Sequence, residues 1–485
     1  MIFRLGVSLL LSLPAFAAAP SAKPPIAKTA ADADFRPVDV KADPGDAKWK
    51  ARPTRTLDQL PGFHPATSVT TSRWGGWSGR REGTGAGFFT VKKAENGRWW
   101  LLDPEGYRFL QVGVAGVYQG IEPPAMETTR NTFSDIKAWG DFTLKTLRDA
   151  RFNGLGGWTE RDAVKDHPAV LPYTLSFEFC GDFGRSLKIT HVNPGQTGYI
   201  NEVPPILHPD FPAWCERYAE KKVSALKDDP MILGYFSDNE IPLRRDMLDR
   251  SLGLDPTVAA VAPMREAALA WLRARKGPDA PLDVASLTDE DRAAFLGDVC
   301  ELYFSTVAAA LRRHDPNHLY LGARFHGRVT TLPEVFRAAG RHVDVVSVNL
   351  YSAWSARPER LAMWTAESGR PVIITEFYAK GMDSGLENVN GAGWVVKTQA
   401  DRGAFYQNFT LSLLEARNVV GWHWFKYRDN EHFDDKAQKG NRDSNKGIVS
   451  WDYKPFTSLI EKMTELNAQV YPLTDYFDGA IPAAP

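Results

Sequence analysis

Residues 231–240 read MILGYFSDNE. Apolar and aromatic residues crowd into a run too short for a helix, the form of a strand buried on both faces, and the run closes on a carboxyl. Seven further runs have the same form: YRFLQVGVAG (107–116), FNGLGGW (152–158), AVLPYTLSF (169–177), HLYLGARFHG (318–327), VDVVSVNLYS (343–352), PVIITEFYA (371–379) and VVGWHWFKY (419–427). Between them, segments such as FTLKTLRDAR (142–151), WCERYAEKKVSALKD (214–228) and AFYQNFTLSLLEAR (404–417) carry the apolar spacing of an amphipathic helix. Eight alternations of strand and helix predict an α/β fold, a (β/α)8 TIM barrel over residues 106–475, with a doubly wound open sheet as the alternative.

Upstream, FFTVKK (88–93) and RWWLLDP (98–104) are separated by the turn signals ENG and PEG, which predicts a short N-terminal β-rich segment over 51–105. The Gly- and Arg-rich stretch at 72–87 leads into a strand rather than opening a helix, so it is expected to be a surface loop and not a phosphate cradle. Residues 20–50, rich in Ala, Pro, Lys and Asp without apolar periodicity, read as a flexible leader. Residues 1–19 combine Arg4, the run LGVSLLLSLPAF and the small residues AFAAA, the pattern of a signal peptide for an exported protein, periplasmic or secreted, without a membrane anchor. Between the fourth and fifth strands, 241–317 carries three helix-like stretches and is expected to form a helical insertion walling one side of the cleft.

Composition narrows the chemistry. A net charge of −1 over 485 residues gives no field to attract nucleic acid or an anionic membrane, and 15 Trp suggest a flat, neutral or mildly charged ligand. Cys180, Cys215 and Cys300 are odd in number and lack metal-ligand spacing, so three buried free thiols are expected and no zinc site. The oligomeric state has no signature in the sequence.

In a barrel of this class the reactive groups lie at the C-terminal ends of the strands. Glu240 closes the fourth run and Glu376 closes PVIITE (371–376) within the seventh. Two carboxyls facing each other across one barrel mouth suit glycosidic cleavage with retention, in which one protonates the leaving oxygen and the other attacks the anomeric carbon. That chemistry implies no cofactor and no metal. Asn239 can bond a substrate hydroxyl beside the reacting carbon, and Tyr351, after the sixth run, can bond the Glu376 carboxylate or, alternatively, backbone. Trp424 and Trp158 are candidate sugar platforms or core residues, with Trp422 as a barrel filler. His326 and Arg324 can donate to substrate hydroxyls. Asp238 reads as structural, and His423 is expected between strand and helix.

This constellation resembles clan A retaining glycoside hydrolases. FNGLGGW, HPDFPAW, GYFSDNEIPL, LYLGARFHGR and ITEFYAKG are most similar to glycoside hydrolase family 50, the β-agarases, and the resemblance extends from about Asn96 to Asp452. It implies Glu240 as general acid/base, Glu376 as nucleophile, and exo-acting hydrolysis of a galactose-containing oligo- or polysaccharide. Family members carry a large carbohydrate-binding β domain ahead of the barrel, where this chain has only a short segment. The alternatives are a β-galactosidase or other clan A β-glycosidase, and a non-catalytic carbohydrate-binding barrel.

Overall fold

The computed structural model describes residues 35–479 apart from 121–122, 194, 279–280, 282, 352 and 431–437. The export pattern at 1–19 and residues 20–34 of the expected leader lie outside the described residues.

Eight parallel strands make the central sheet: β1 Gln111–Ala115, β2 Gly154–Leu155, β3 Tyr173–Ser176, β4 Ile232–Phe236, β5 Leu319–Tyr320, β6 Val346–Asn349, β7 Val372–Phe377 and β8 Val419–Phe425. Each comes from one of the eight apolar runs. Their hydrogen-bonded order is β5-β4-β3-β2-β1-β8-β7-β6. Beyond β5, Phe325 forms a parallel bridge with Val348 of β6, and its amide donates to the Ser347 carbonyl at 2.9 Å. The sheet therefore curls on itself as a TIM-like barrel does. Close strand approach explains small residues inside it: a Cβ on Gly113 of β1 would stand 2.8 Å from the Gly154 carbonyl of β2.

Helices pack on the outer face and bury its apolar side chains. Gln399–Glu415 illustrates the rule, laying Phe405 and Phe409 against Phe377 of β7. Between β4 and β5 lie the helices Met247–Leu252, Ala262–Lys276 and Asp289–His314. The last begins with a Thr288/Asp291 capping box, has three acids in its first turn and ends on Arg312, Arg313 and His314, a charge order that suits its dipole. Cys180, Cys215 and Cys300 are all buried and free.

The N-terminal region departs from its expected form in three ways. A four-stranded antiparallel sheet, ordered Trp77–Arg81, Tyr107–Phe109, Trp99–Leu102, Thr90–Lys93, takes in part of the expected 72–87 loop. It also divides YRFLQVGVAG, whose first residues pair in this sheet while Gln111–Ala115 opens the barrel. The flexible leader expected over 20–50 is corrected within its described part, because Arg36–Lys41 is a strand paired with Lys50–Thr54 and Trp394–Val396. Val38 and Val40, each 1% exposed, point into the core and anchor it.

Candidate active site

A cleft of about 1220 Å³ opens at the C-terminal ends of the strands, with Glu240 and Glu376 in its lining. Three residues just beyond strand ends adopt left-handed backbone without being glycine: Trp158 (φ 65°) after β2, Glu240 (φ 53°) after β4 and Arg324 (φ 50°) after β5. Such conformations cost on the order of 1–3 kcal/mol each and persist where the surroundings over-determine them. Here they turn three functional side chains inward together.

Glu376, 4% exposed, is surrounded by donors. The Arg324 guanidinium donates to Oε1 and the Tyr351 hydroxyl to Oε2, and the Trp158 indole lies 3.4 Å from Oε1. Glu240 has a sparser shell. Asn349 Nδ2 donates to its Oε1 at 2.8 Å, and His326 Nδ1 lies 3.4 Å from its Oε2. Burial lowers the pKa of His326, which favours a neutral imidazole there.

Burial also pushes both carboxyls up, to about 7 each, against the pull of the Arg324 and Lys446 charges and, at Glu240, of the Asn349 hydrogen bond. Each carboxylate opposes ionisation of the other, so the pair releases its protons in two steps. A guanidinium, a phenol and an indole around Glu376 favour its charged form, whereas Glu240 has one amide donor.

Asn239 lines the cleft, but its amide is engaged within the protein. Its Nδ2 donates to the Gly195 carbonyl at 3.0 Å, and its Oδ1 accepts from Arg324 Nε at 2.9 Å and from Asn349 Nδ2 at 3.3 Å. Arg324, fully buried, holds Asn239 and Glu376 rather than projecting towards a substrate. Asp238 is structural, accepting from the amides of Cys180 and Gly181 and from the Tyr303 hydroxyl. Trp158, His326 and Tyr351 all line the cleft.

Trp424 does not. It is fully buried, donates its indole N–H to the Lys446 carbonyl at 2.7 Å and packs edge-on to Phe377 and Tyr406. Trp422 also faces the helix layer, bonded to the Tyr406 hydroxyl at 3.0 Å. His423 takes the inward position instead, 2.8 Å from Gln111 Oε1, so its expected place between strand and helix is corrected too. The next residue, Phe425, reaches the cleft. The expected wall from 241–317 is likewise absent from the described lining. The hairpin formed by Thr190–Asn193 and Gln196–Tyr199 supplies one side, and loops at 389–392 and 438–441 supply another.

Three residues at or beside the cleft escaped the sequence reading, Tyr378 and Lys446 in its lining and Asn349 behind it. Asn349 ends β6 as Glu376 ends the β7 run, and that polar residue closing VSVN was a usable signal. Tyr378 lines the cleft two residues beyond Glu376. Lys446 is 4% exposed, with its ammonium bonded to the Gly440 carbonyl at 2.6 Å and Asn441 Oδ1 at 2.9 Å. Burial, with the neighbouring Lys426 and Lys380, pushes its pKa well down. Nothing in its local sequence marks a buried cation. Among the described residues, no group of three His, Cys, Asp or Glu side chains is placed to hold a metal ion.

Fold and cleft together define a class: barrel proteins with a pair of buried carboxyls at the C-terminal edge of a curled parallel sheet. No protein-family model matches the chain. The solved structure of BpGH50 is 32% identical with a TM-score of 0.79, the alignment covering 92% of this chain and 96% of that one. β-Agarase B of Vibrio sp. (strain JT0107) is 26% identical over 86% of this chain and 51% of its own length. β-Agarase A of the same strain is 28% identical over 71% of this chain and 37% of its own. The chain belongs to glycoside hydrolase family 50, and it spans about half or less of the two curated relatives it matches.

Proposed function

We propose that this protein is a retaining, exo-acting glycoside hydrolase of the β-agarase type that cleaves β-linked galactose-containing glycans. The observation that carries the reading is the unequal surroundings of the two carboxyls. Glu376, held ionised by Arg324, Tyr351 and Trp158, attacks the anomeric carbon. Glu240, holding its proton in a cavity with one amide donor, protonates the leaving oxygen and then, as a carboxylate, takes a proton from the water that releases the product. The names of the two Vibrio relatives support agar as the substrate, and exo action follows the family resemblance. Export is part of the same reading, since a polysaccharide is met outside the cytoplasm; it rests on the pattern at residues 1–19.

The test is product analysis after incubation with agarose, neoagaro-oligosaccharides and other β-linked glycans, with Glu376→Ala as control. Release of one small neoagaro-oligosaccharide from chain ends, by the parent protein alone, is the expected result. Cleavage of a different glycan would keep the chemistry and replace the substrate. No cleavage of any glycan would favour a carbohydrate-binding barrel.

A further inference from the structure

Behind the wall formed by His326 and Tyr351 lies a second cavity of about 310 Å³. It adjoins the catalytic cleft, since His326, Tyr351 and Ala392 line both. Asn349, which holds Glu240, also lines it. A group seated in this cavity would therefore press on the residues that hold both carboxyls.

The two spaces differ in charge. The main cleft is lined by four acids, Glu160, Glu178, Glu240 and Glu376, together with Arg185, Lys439 and Lys446. No acidic side chain is among the described residues lining the side cavity, and Arg360 is its only Lys or Arg. Arg360 stands in the first turn of the helix Pro358–Ser368, where a cation opposes the helix dipole. Its guanidinium makes no hydrogen bond or ion pair with any described residue. A partly buried arginine at the unfavourable end of a helix, unpaired and facing a cavity, departs from the usual local pattern without an internal compensation. Trp394, 8% exposed, adds an aromatic surface to the wall.

We propose that this side cavity is a subsite for an anionic substituent, a sulfate ester or a uronate carboxylate, on a glycan whose neighbouring sugar occupies the catalytic cleft. The Arg360 fork matches the paired oxygens of either group. Trp394 and Tyr351 add aromatic wall on either side of it, the Trp394 ring being backed by the Arg52 guanidinium at 5.1 Å. The inference rests on reading the main cleft as a glycan site.

Calorimetric titration tests it, using full-length protein with Glu376→Gln to block turnover. Three probes are compared: a neutral galactan tetrasaccharide, the same tetrasaccharide with one sulfate ester, and the same with one uronate. At least one charged probe is expected to bind about tenfold tighter than the neutral one, the size of a single charge-assisted hydrogen-bonded contact. Which of the two does so identifies the substituent. Arg360→Ala and Arg360→Gln are expected to bring the ratio to about one, and Arg360→Lys to restore part of it. Equal affinities in the parent, or a preference that survives both substitutions, would overturn the side-cavity assignment alone. Failure of all three probes to bind would overturn it together with the galactan reading of the main cleft.

Discussion

Asn349 ties the two carboxyl-bearing strands together. Its Nδ2 donates to Glu240 Oε1 at 2.8 Å, while its Oδ1 accepts from the Thr375 hydroxyl at 2.7 Å, one residue before Glu376. A shift of Asn349 would move both reactive groups at once. Replacing it by Ala removes the only amide donor that Glu240 has among the described residues. That hydrogen bond lowers the Glu240 pKa, so its loss raises it. Asn349→Ala is expected to lower kcat by roughly ten- to a hundredfold, the worth of a hydrogen bond to a charged group, and to move the basic limb of kcat/KM to higher pH. Steady-state kinetics across pH would show both changes.

The protonation states make activity bell-shaped in pH. In the proposed mechanism turnover needs Glu376 ionised and Glu240 protonated, so the rate rises as the first proton of the pair is lost and falls with the second. Since burial pushes both groups to about 7, both limbs should lie near neutrality and well above the ordinary carboxyl value of 4.5. The Arg324 charge lowers the Glu376 pKa. Arg324→Met should therefore shift the acid limb to higher pH, as well as reduce kcat. An acid limb that stays in place would remove Arg324 from this role.

The same burial has a cost in stability. Burial pushes the Glu240 pKa up to about 7 from an ordinary value of 4.5, so between these values the folded protein holds a proton that the unfolded chain has lost. Stability falls as pH rises through that window. Glu240→Gln removes the Glu240 share of the effect, leaving that of Glu376, and keeps an oxygen to accept from Asn349. The variant should melt higher than the parent at pH 8 and equally at pH 4. The gain is at most about 3 kcal/mol at 1.36 kcal/mol per pKa unit. Calorimetric melting at the two pH values checks this.

Trp424 and Trp158 should behave oppositely. Trp424 is packed between β8 and the helix Gln399–Glu415, so Trp424→Ala is expected to cost about 3–5 kcal/mol of stability. Trp424→Phe should retain near-normal KM. Trp158 lines the cleft with its indole towards Glu376. Trp158→Phe should leave the melting temperature almost unchanged while lowering kcat. Denaturant melts and kinetics on the same preparations separate the two cases.

The strands and both carboxyls were legible because each leaves a local mark: a short apolar run, and an acid at its end. Side-chain direction in β8 was not. That strand is buried on both faces, so VVGWHWF contains no apolar–polar alternation to fix which residues point inward. Its phase is set by fit, with His423 against Gln111 inside and two indoles against the helix layer. Arg36–Lys41 was missed for another reason. Only Val38 and Val40 alternate in it, and one of its partners, Trp394–Val396, lies in a distant part of the sequence. Arg324 and Tyr351 were found by their position after strands, yet the sequence could not show that Arg324 serves Glu376 rather than substrate.

The central claim is that Glu376 forms a covalent bond to the sugar. The direct measurement is mass spectrometry of protein treated with an activated 2-deoxy-2-fluoro-galactoside, which slows release of a glycosyl-enzyme more than its formation. The account predicts one added glycosyl mass, located on the peptide containing Glu376 and absent from Glu376→Ala. A label on Glu240, or no label together with product of inverted anomeric configuration, would contradict it.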